Sequence, residues 1–276
     1  MRYVKAHIEG DGFAISVVTC SDEHAGWSPA EPGAGRRIVL VRSGRFRLRT
    51  MGREGVVDPT TGYLQLPGAQ QRFAHPAGGD VCTSIGVSDR WWRSLAGDGG
   101  RPSRPWLHVD GRLELAHRRL ARAIAGGDTG FAVPEQLLDV LALSAPVFGS
   151  GAAQRRAQVP SHAARALADG AREAVAAGHP AADRLTTLAG LLEVSPYHLS
   201  RVFRRETGTS LTRYRNRARV SRALERIEAG ERDLAGLAAD LGFADQAHFI
   251  RTVREHTGHT PGRLRELLAA AIAGGS

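Results

Sequence analysis

The sequence predicts an α+β chain: an N-terminal β-barrel followed by helices, then an all-α C-terminal domain with two helix-turn-helix motifs joined by a linker helix. Three observations carry this. Residues 1–90 are short apolar runs broken by turn residues; from Leu113 onward apolar residues recur at helical spacing; and VSPYHLSRVFRRETGTSL at 194–211 returns as ADQAHFIRTVREHTGHTP at 244–261.

In the first region, Arg45-Phe46-Arg47-Leu48-Arg49 alternates, which puts Phe46 and Leu48 on one face of a strand. Ser43-Gly44, Pro59-Thr60-Thr61-Gly62, Pro67-Gly68 and Pro76-Ala77-Gly78-Gly79-Asp80 read as hairpin turns. Many short strands at close spacing indicate a small barrel or double-sheet roll, here taken as residues 1–90. The segment 91–145 is helical: Leu113, Ala116, Leu120 and Ile124 share a stripe, and Pro134 opens a second helix with Asp139 exposed. These helices would pack on the barrel or against a second copy of the chain. Residues 146–160 hold Gly, Ser, Pro and paired Arg without a period and read as a linker.

From 161 to 276 the chain is a run of helices. Ser161, Thr186, Ser195, Ser210, Asp233, Asp245 and Thr260 stand where N-caps belong, and Gly178, Gly208, Gly230 and Gly258 where helices stop. A shift of fifty aligns Leu191 with Leu241, His198 with His248, Arg201 with Arg251 and Arg204 with Arg254, with no gap. Each copy, at about 185–208 and 234–258, is a short helix, a tight turn and a longer helix, the arrangement whose second helix fits the DNA major groove. Leu199, Val202, Phe203, Phe249 and Val253 form the inward stripe. Tyr197, Ser200, Arg201 and Arg204, with Ala247, His248, Arg251 and Arg254, face outward. Serine and arginine suit base edges, tyrosine a thymine methyl, and the amides at each helix N-terminus a phosphate. Between the copies, Tyr214, Ala218, Ala223 and Ile227 pack a bridging helix whose arginines are expected in water.

The 276 residues, 42% of them apolar, suffice for packed cores. Lys+Arg exceed Asp+Glu by 37 to 28, with Lys5 the single lysine, so the cationic groups are guanidinium forks suited to phosphate and guanine. No apolar run reaches about 18 residues, and MRYVKAHIEGDG has no apolar signal core, so a cytoplasmic chain without membrane association is expected. Two cysteines make no disulfide framework and fit a reducing compartment.

The stretches SPYHLSRVFRRETGTSLTRYRNRARVSRALERI and LAADLGFADQAHFIRTVREHTGHTPGRLR resemble the DNA-binding domain of the AraC/XylS family of transcriptional regulators. The resemblance implies that Tyr197, Ser200 and Arg201 read one groove, that Gln246, Ala247, His248 and Arg251 read the next, and that Arg204 and Arg254 lie near phosphates. It departs at Leu192-Glu193, where the first turn has no glycine, and at Val253, where an aromatic is usual. Residues 1–90 resemble the cupin-like sensor domain that often precedes this unit. The implied partners are double-stranded promoter DNA, RNA polymerase, an unidentified small-molecule effector and a second copy of the chain.

The competing reading is a cupin-type small-molecule or metal-binding enzyme that uses the helical repeat as a protein-docking scaffold. It would need a His-x-His with a later Glu and His, a set this sequence lacks, so no catalysis and no cofactor are expected. One constellation suits zinc or another soft metal: Cys20-x3-His24 with His75-x6-Cys82, provided the pairs meet; Cys20 and Cys82 alone would make a redox switch. Otherwise both cysteines are buried apolar groups and His75-Pro76 a turn. His108, His117, His162, His179, His256 and His259 read as surface groups.

Overall fold

A computed structural model describes residues 2–21, 23–96, 104–145 and 162–269; the expected linker and the Ser161 cap lie outside them. The chain divides into two compact units, Met1–Arg156 with Glu266–Ser276, and Ala157–Arg265.

The first unit contains strands β1 (Arg2–Gly10), β2 (Phe13–Cys20), β3 (Glu31–Pro32), β4 (Arg37–Ser43), β5 (Phe46–Thr50), β6 (Arg53–Val57), β7 (Thr61–Gln65), β8 (Gln70–Ala74), β9 (Asp80–Val87) and β10 (Trp106–His108). They form two antiparallel sheets, ordered β1-β2-β9-β4-β7-β10 and β3-β8-β5-β6. Strand β4 explains the layering. Its run Ile38-Val39-Leu40-Val41 is buried on both faces, as expected of a strand with packing on either side. Val39 and Val41 meet Phe46, Leu48 and Val57 of the second sheet, while Ile38 and Leu40 join a core completed by helices. Phe46 and Leu48 are buried together, as their alternation predicts.

The turns differ from expectation. None of the four predicted hairpins joins paired strands: Ser43-Gly44, Pro59–Gly62, Pro67-Gly68 and Pro76–Asp80 each carry the chain from one sheet to the other. The paired hairpins are β1–β2, through Asp11-Gly12, and β5–β6, through Met51 (φ 50°) and Gly52 (φ 66°). Gly and Pro report that a chain reverses, whereas the partner it reverses onto is decided by side-chain burial.

Helices α1 (Asp89–Ala96), α2 (Gly111–Gly126) and α3 (Ala132–Ser144) follow. The Asp110 carboxylate caps α2 by accepting from the Arg112 and Leu113 amides. Asp128 accepts from the Gly130, Phe131 and Ala132 amides ahead of α3, and the bonds from Phe131 and Ala132 hold its carboxyl below the usual range. Leu113, Ala116 and Leu120 of α2, with Val133, Leu137, Val140 and Leu141 of α3, pack on Ile15, Ile38, Leu40 and Ile85. The helices therefore cover the six-stranded sheet. That sheet gains β10 beyond residue 90, so the strand region and the helical segment share one core.

His117 is a correction: expected at the surface, it is 1% exposed, with Nε2 2.7 Å from Thr83 Oγ1. The stripe through Leu113 and Leu120 turns it onto the sheet as well. Burial, then the charges of Arg42 and Arg118, push its pKa from 6.5 down to about 3.

The second unit holds α4 (His162–Ala176), a 3-10 turn (Pro180–Asp183), α5 (Leu185–Leu191), α6 (Pro196–Thr207), α7 (Leu211–Glu228), α8 (Leu234–Asp240), α9 (Gln246–Thr257) and, as far as Arg265, α10 (Pro261–Ala269). Helix α7 packs against α4, α6 and α9. Among the described residues no helix is long and apolar enough to cross a membrane.

His117 makes stability pH-dependent. Its folded pKa lies below the unfolded value, so its contribution is complete above pH 6.5 and is lost as pH falls toward 3. Unfolding takes up about one proton in that window, a loss of roughly 1.4 kcal/mol per pH unit. Denaturant titrations between pH 7 and 4 should show this slope, reduced in His117→Gln.

Candidate nucleic-acid interface

Each helix pair is built from local rules. Leu188 and Ala189 of α5, and Leu237 and Ala238 of α8, are buried beneath the helix that follows. At both turns the chain ends its helix with the same two bonds: Glu193 N to Gly190 O and Val194 N to Ala189 O in the first, Gly242 N to Ala239 O and Phe243 N to Ala238 O in the second. Both turns need a left-handed residue, Gly242 at φ 72° and Glu193 at φ 55°.

These bonds correct the alignment. Helices α5 and α8 start at Leu185 and Leu234, forty-nine apart, whereas α6 and α9 start at Pro196 and Gln246, fifty apart. The second turn therefore carries one extra residue, Ala244, and Leu192, not Leu191, corresponds to Leu241. Thr186 is not the α5 cap; Arg184 occupies that position without a side-chain bond. The longer helices start as predicted, with Ser195 Oγ accepting from the His198 amide and Asp245 Oδ1 from the His248 amide. They also end alike: Thr207 Oγ1 donates to Phe203 O, Thr257 Oγ1 to Val253 O, and Gly208 and Gly258 are left-handed.

Leu199, Val202, Phe203, Phe249 and Val253 are buried. On the opposite face Tyr197, Ser200, Arg201 and Arg204 of α6 are exposed, a stripe at i, i+3, i+4 and i+7. Tyr197 is 71% exposed, which for an aromatic ring is a binding-surface feature rather than a core one. Arg201 lies over that ring, its Cζ 5.4 Å from the centroid, and donates from Nη1 to Tyr197 Oη at 3.2 Å. On α9, Gln246, Ala247, Arg251 and Arg254 are exposed. His248 is half-buried, its ring edge-on to Phe243 at 5.4 Å, and the place of Ser200 is taken by half-buried Ile250. The second face is thus less polar than the first.

The bridging helix is the second correction, since its arginines do not all face water. Arg217 and Arg219 are buried. Arg219 stacks on Phe243 with Cζ 5.5 Å from the ring and reaches Asp183 Oδ1 at 3.2 Å. Burial, then the charge of Arg215, lowers its pKa. Arg226 bridges Glu231 at 2.6 Å and Asp240 at 2.9 Å, and the hydrogen bond it donates to Glu231 raises its pKa most. These cations hold helices together and are not available to DNA in the same way as Arg201 or Arg251.

In the first unit the two Cys/His pairs do meet. His24 and His75 face each other in an isolated bridge with ring centroids 5.0 Å apart. Cys20 sits opposite Asp80 across β2 and β9, and Cys82 lies two residues along on the same face. The donor atoms of Cys20, His75 and Asp80 fall within 4.8 Å of one another, all three residues buried. Asp80 was missing from the sequence-based set; its link to Cys20 is a strand register, which no spacing rule reveals.

With the geometry in place, comparison gives the class of the second unit: residues 188–267 match the helix-turn-helix domain family and are similar to the corresponding part of AraC-type regulators. Over 83 residues the chain is 31% identical to the bifunctional transcriptional activator/DNA repair enzyme AdaA of Bacillus subtilis, 30% of this chain and 39% of that protein. Over 72 residues it is 32% identical to the arabinose operon regulatory protein of Escherichia coli, 26% of this chain and 25% of that protein. The chain thus spans well under half the length of these two relatives. Among solved structures, ToxT from Vibrio cholerae aligns over 95% of this chain and 100% of its own at 13% identity and a TM-score of 0.36.

The left-handed glutamate gives a stability test. Glu193→Gly should raise the unfolding free energy by about 0.5–1 kcal/mol, because a Cβ is unfavourable there. Gly242→Ala should do the opposite and more, since its Cβ would stand 2.8 Å from Arg219 Nη2. Thermal melts of the two variants should move in opposite directions.

Proposed function

We propose that the chain is a sequence-specific, DNA-binding transcriptional regulator in which α5–α6 and α8–α9 are two helix-turn-helix units and α7 is the linker that spaces them. The observation that supports this best is the pair of similarly capped helices, each with an exposed arginine at the same two positions, packed on one shared helix. In this reading Tyr197, Ser200 and Arg201 meet bases in one major groove, Gln246, Ala247, His248 and Arg251 meet bases in the next about 34 Å along, and Arg204 and Arg254 hold phosphates.

The matched relatives are named as transcriptional regulators, which favours this reading over a barrel enzyme with a docking scaffold. The DNA repair activity in the name of AdaA belongs to that protein, whose match here covers only the helix-turn-helix region. The proposed setting is the cytoplasm, with promoter DNA and RNA polymerase as partners and the first unit as a cupin-like sensor for an effector. A homodimer would use α3, which leaves Leu138 and Leu143 exposed.

Arg201→Ala and Arg251→Ala should each reduce discrimination at one base by about 1–3 kcal/mol, at positions about one helical turn apart. Arg204→Ala should weaken all duplexes alike and reduce the slope of log affinity against log salt by about 0.9. Footprinting and salt titration on a selected operator measure both. If both reading variants alter the same base pair, the two-groove reading is wrong.

A further inference from the structure

We propose that Cys20, His75 and Asp80 bind a divalent metal ion of the zinc class inside the first unit, with His24 and Cys82 as positioning residues. The inference is independent of the DNA-binding reading.

The hydrogen bonds assign the protons. Gly26 O can only accept, so His24 Nδ1, 2.8 Å away, must donate to it. In a neutral His24 this leaves Nε2 as an acceptor. His75 Nδ1 lies 3.2 Å from that atom and therefore donates. A neutral His75 then has a bare lone pair on Nε2, and that lone pair is 2.9 Å from Asp80 Oδ1. The Nε2 nitrogen and the carboxylate oxygen thus lie side by side, without a proton between them, in a site where the His75 and Asp80 side chains are 9% and 5% exposed. Asp80 Oδ1 has no hydrogen-bond partner even at this distance, so a proton on Nε2 would not point at it. The arrangement asks for a cation off the N–O line, on the side where the Cys20 thiol completes the triangle.

The donor set fits. Sulfur, imidazole nitrogen and carboxylate oxygen are the ligands of a borderline-soft ion, and around tetrahedral zinc such atoms stand about 3.3–3.5 Å apart, so the three donors, within 4.8 Å of one another, need only small shifts, the 2.9 Å nitrogen–oxygen pair opening by a few tenths of an ångström. Binding displaces the Cys20 thiol proton to solvent; the thiolate and the carboxylate then balance the two positive charges. Three protein ligands leave a fourth position for an exchangeable group. The remaining members of the cluster orient these three. Cys82 Sγ donates to Asp80 Oδ2 at 2.7 Å, turning Oδ1 toward the site, and His24 fixes the His75 tautomer.

Titration of the reduced, chelator-stripped full chain with Co2+ tests the assignment. One Co2+ per chain is expected, with a thiolate-to-cobalt charge-transfer band and the strong visible bands of a four-coordinate ion, displaced by Zn2+. Cys20→Ser should remove the charge-transfer band, and Asp80→Asn and His75→Gln should remove stoichiometric binding. Cys82→Ser and His24→Ala should keep the band and the stoichiometry while affinity falls about 10–100-fold. The metal-free melting temperature of these two variants separates positioning from a general loss of structure, since positioning alone leaves it unchanged. The proposal is overturned if the wild-type chain takes up no Co2+, if the band survives Cys20→Ser, or if Cys82→Ser abolishes it. The wild-type spectrum decides even if an Asp80 variant does not fold.

Discussion

The second unit depends on what α7 does with its arginines. A helix of eighteen residues that must touch both helix pairs has little apolar surface to spare, and this one is arginine-rich. It buries the stems and turns the guanidinium groups onto neighbouring backbone and acids: Arg222 to Val175 O, Arg215 to Asp183 O, Arg219 to Asp183 and Phe243, Arg226 to Glu231 and Asp240. Isolated exposed ion pairs contribute little to stability. Their effect here is geometric, because together they join α7 to α4, to the 3-10 turn ahead of α5 and to both ends of α8. A reader of two grooves needs that fixed spacing more than it needs raw affinity.

The two pairs fill their cores by different means. The first places its aromatic at Phe203, on the linker side, edge-on to Tyr214 at 5.3 Å. The second has Val253 there and places Phe243 and Phe249 on the turn side, 5.2 Å apart. At the corresponding turn-side positions the first pair has Val194 and Leu199. The valine that departs from the family pattern is thus part of a redistribution, in which the bulk lost on the linker side is more than made up by aromatic rings on the turn side. The larger turn-side rings accompany the extra residue Ala244 and the stacking of Arg219 on Phe243.

How much of this was legible in the sequence follows from the range of the interactions. Ser195, Ser210, Asp233 and Asp245 cap where expected because a cap involves residues three apart, and the inward stripe of α6 follows from helical period alone. The sheets were legible as strands but not as pairs. Gly44 and Gly68 are left-handed as turn residues should be, yet they connect layers instead of hairpins. Arg217, Arg219 and His117 were misplaced for a related reason: polarity says that a side chain must be satisfied, and only the tertiary structure says whether water or another residue satisfies it.

Two buried histidines show how far surroundings decide chemistry. His117 lies against Thr83 with Arg42 and Arg118 nearby, and both burial and those cations oppose a positive charge on it. His75 is buried to a similar degree but faces a carboxylate, with a thiol on the adjacent strand. The two rings differ in their neighbours. Near His117 a further cation would meet two guanidinium charges; near His75 it would meet two groups able to become anionic. The same residue type, in the same sheet-built unit, is therefore a neutral packing element at one place and, at the other, the member of a donor cluster on which the metal proposal rests.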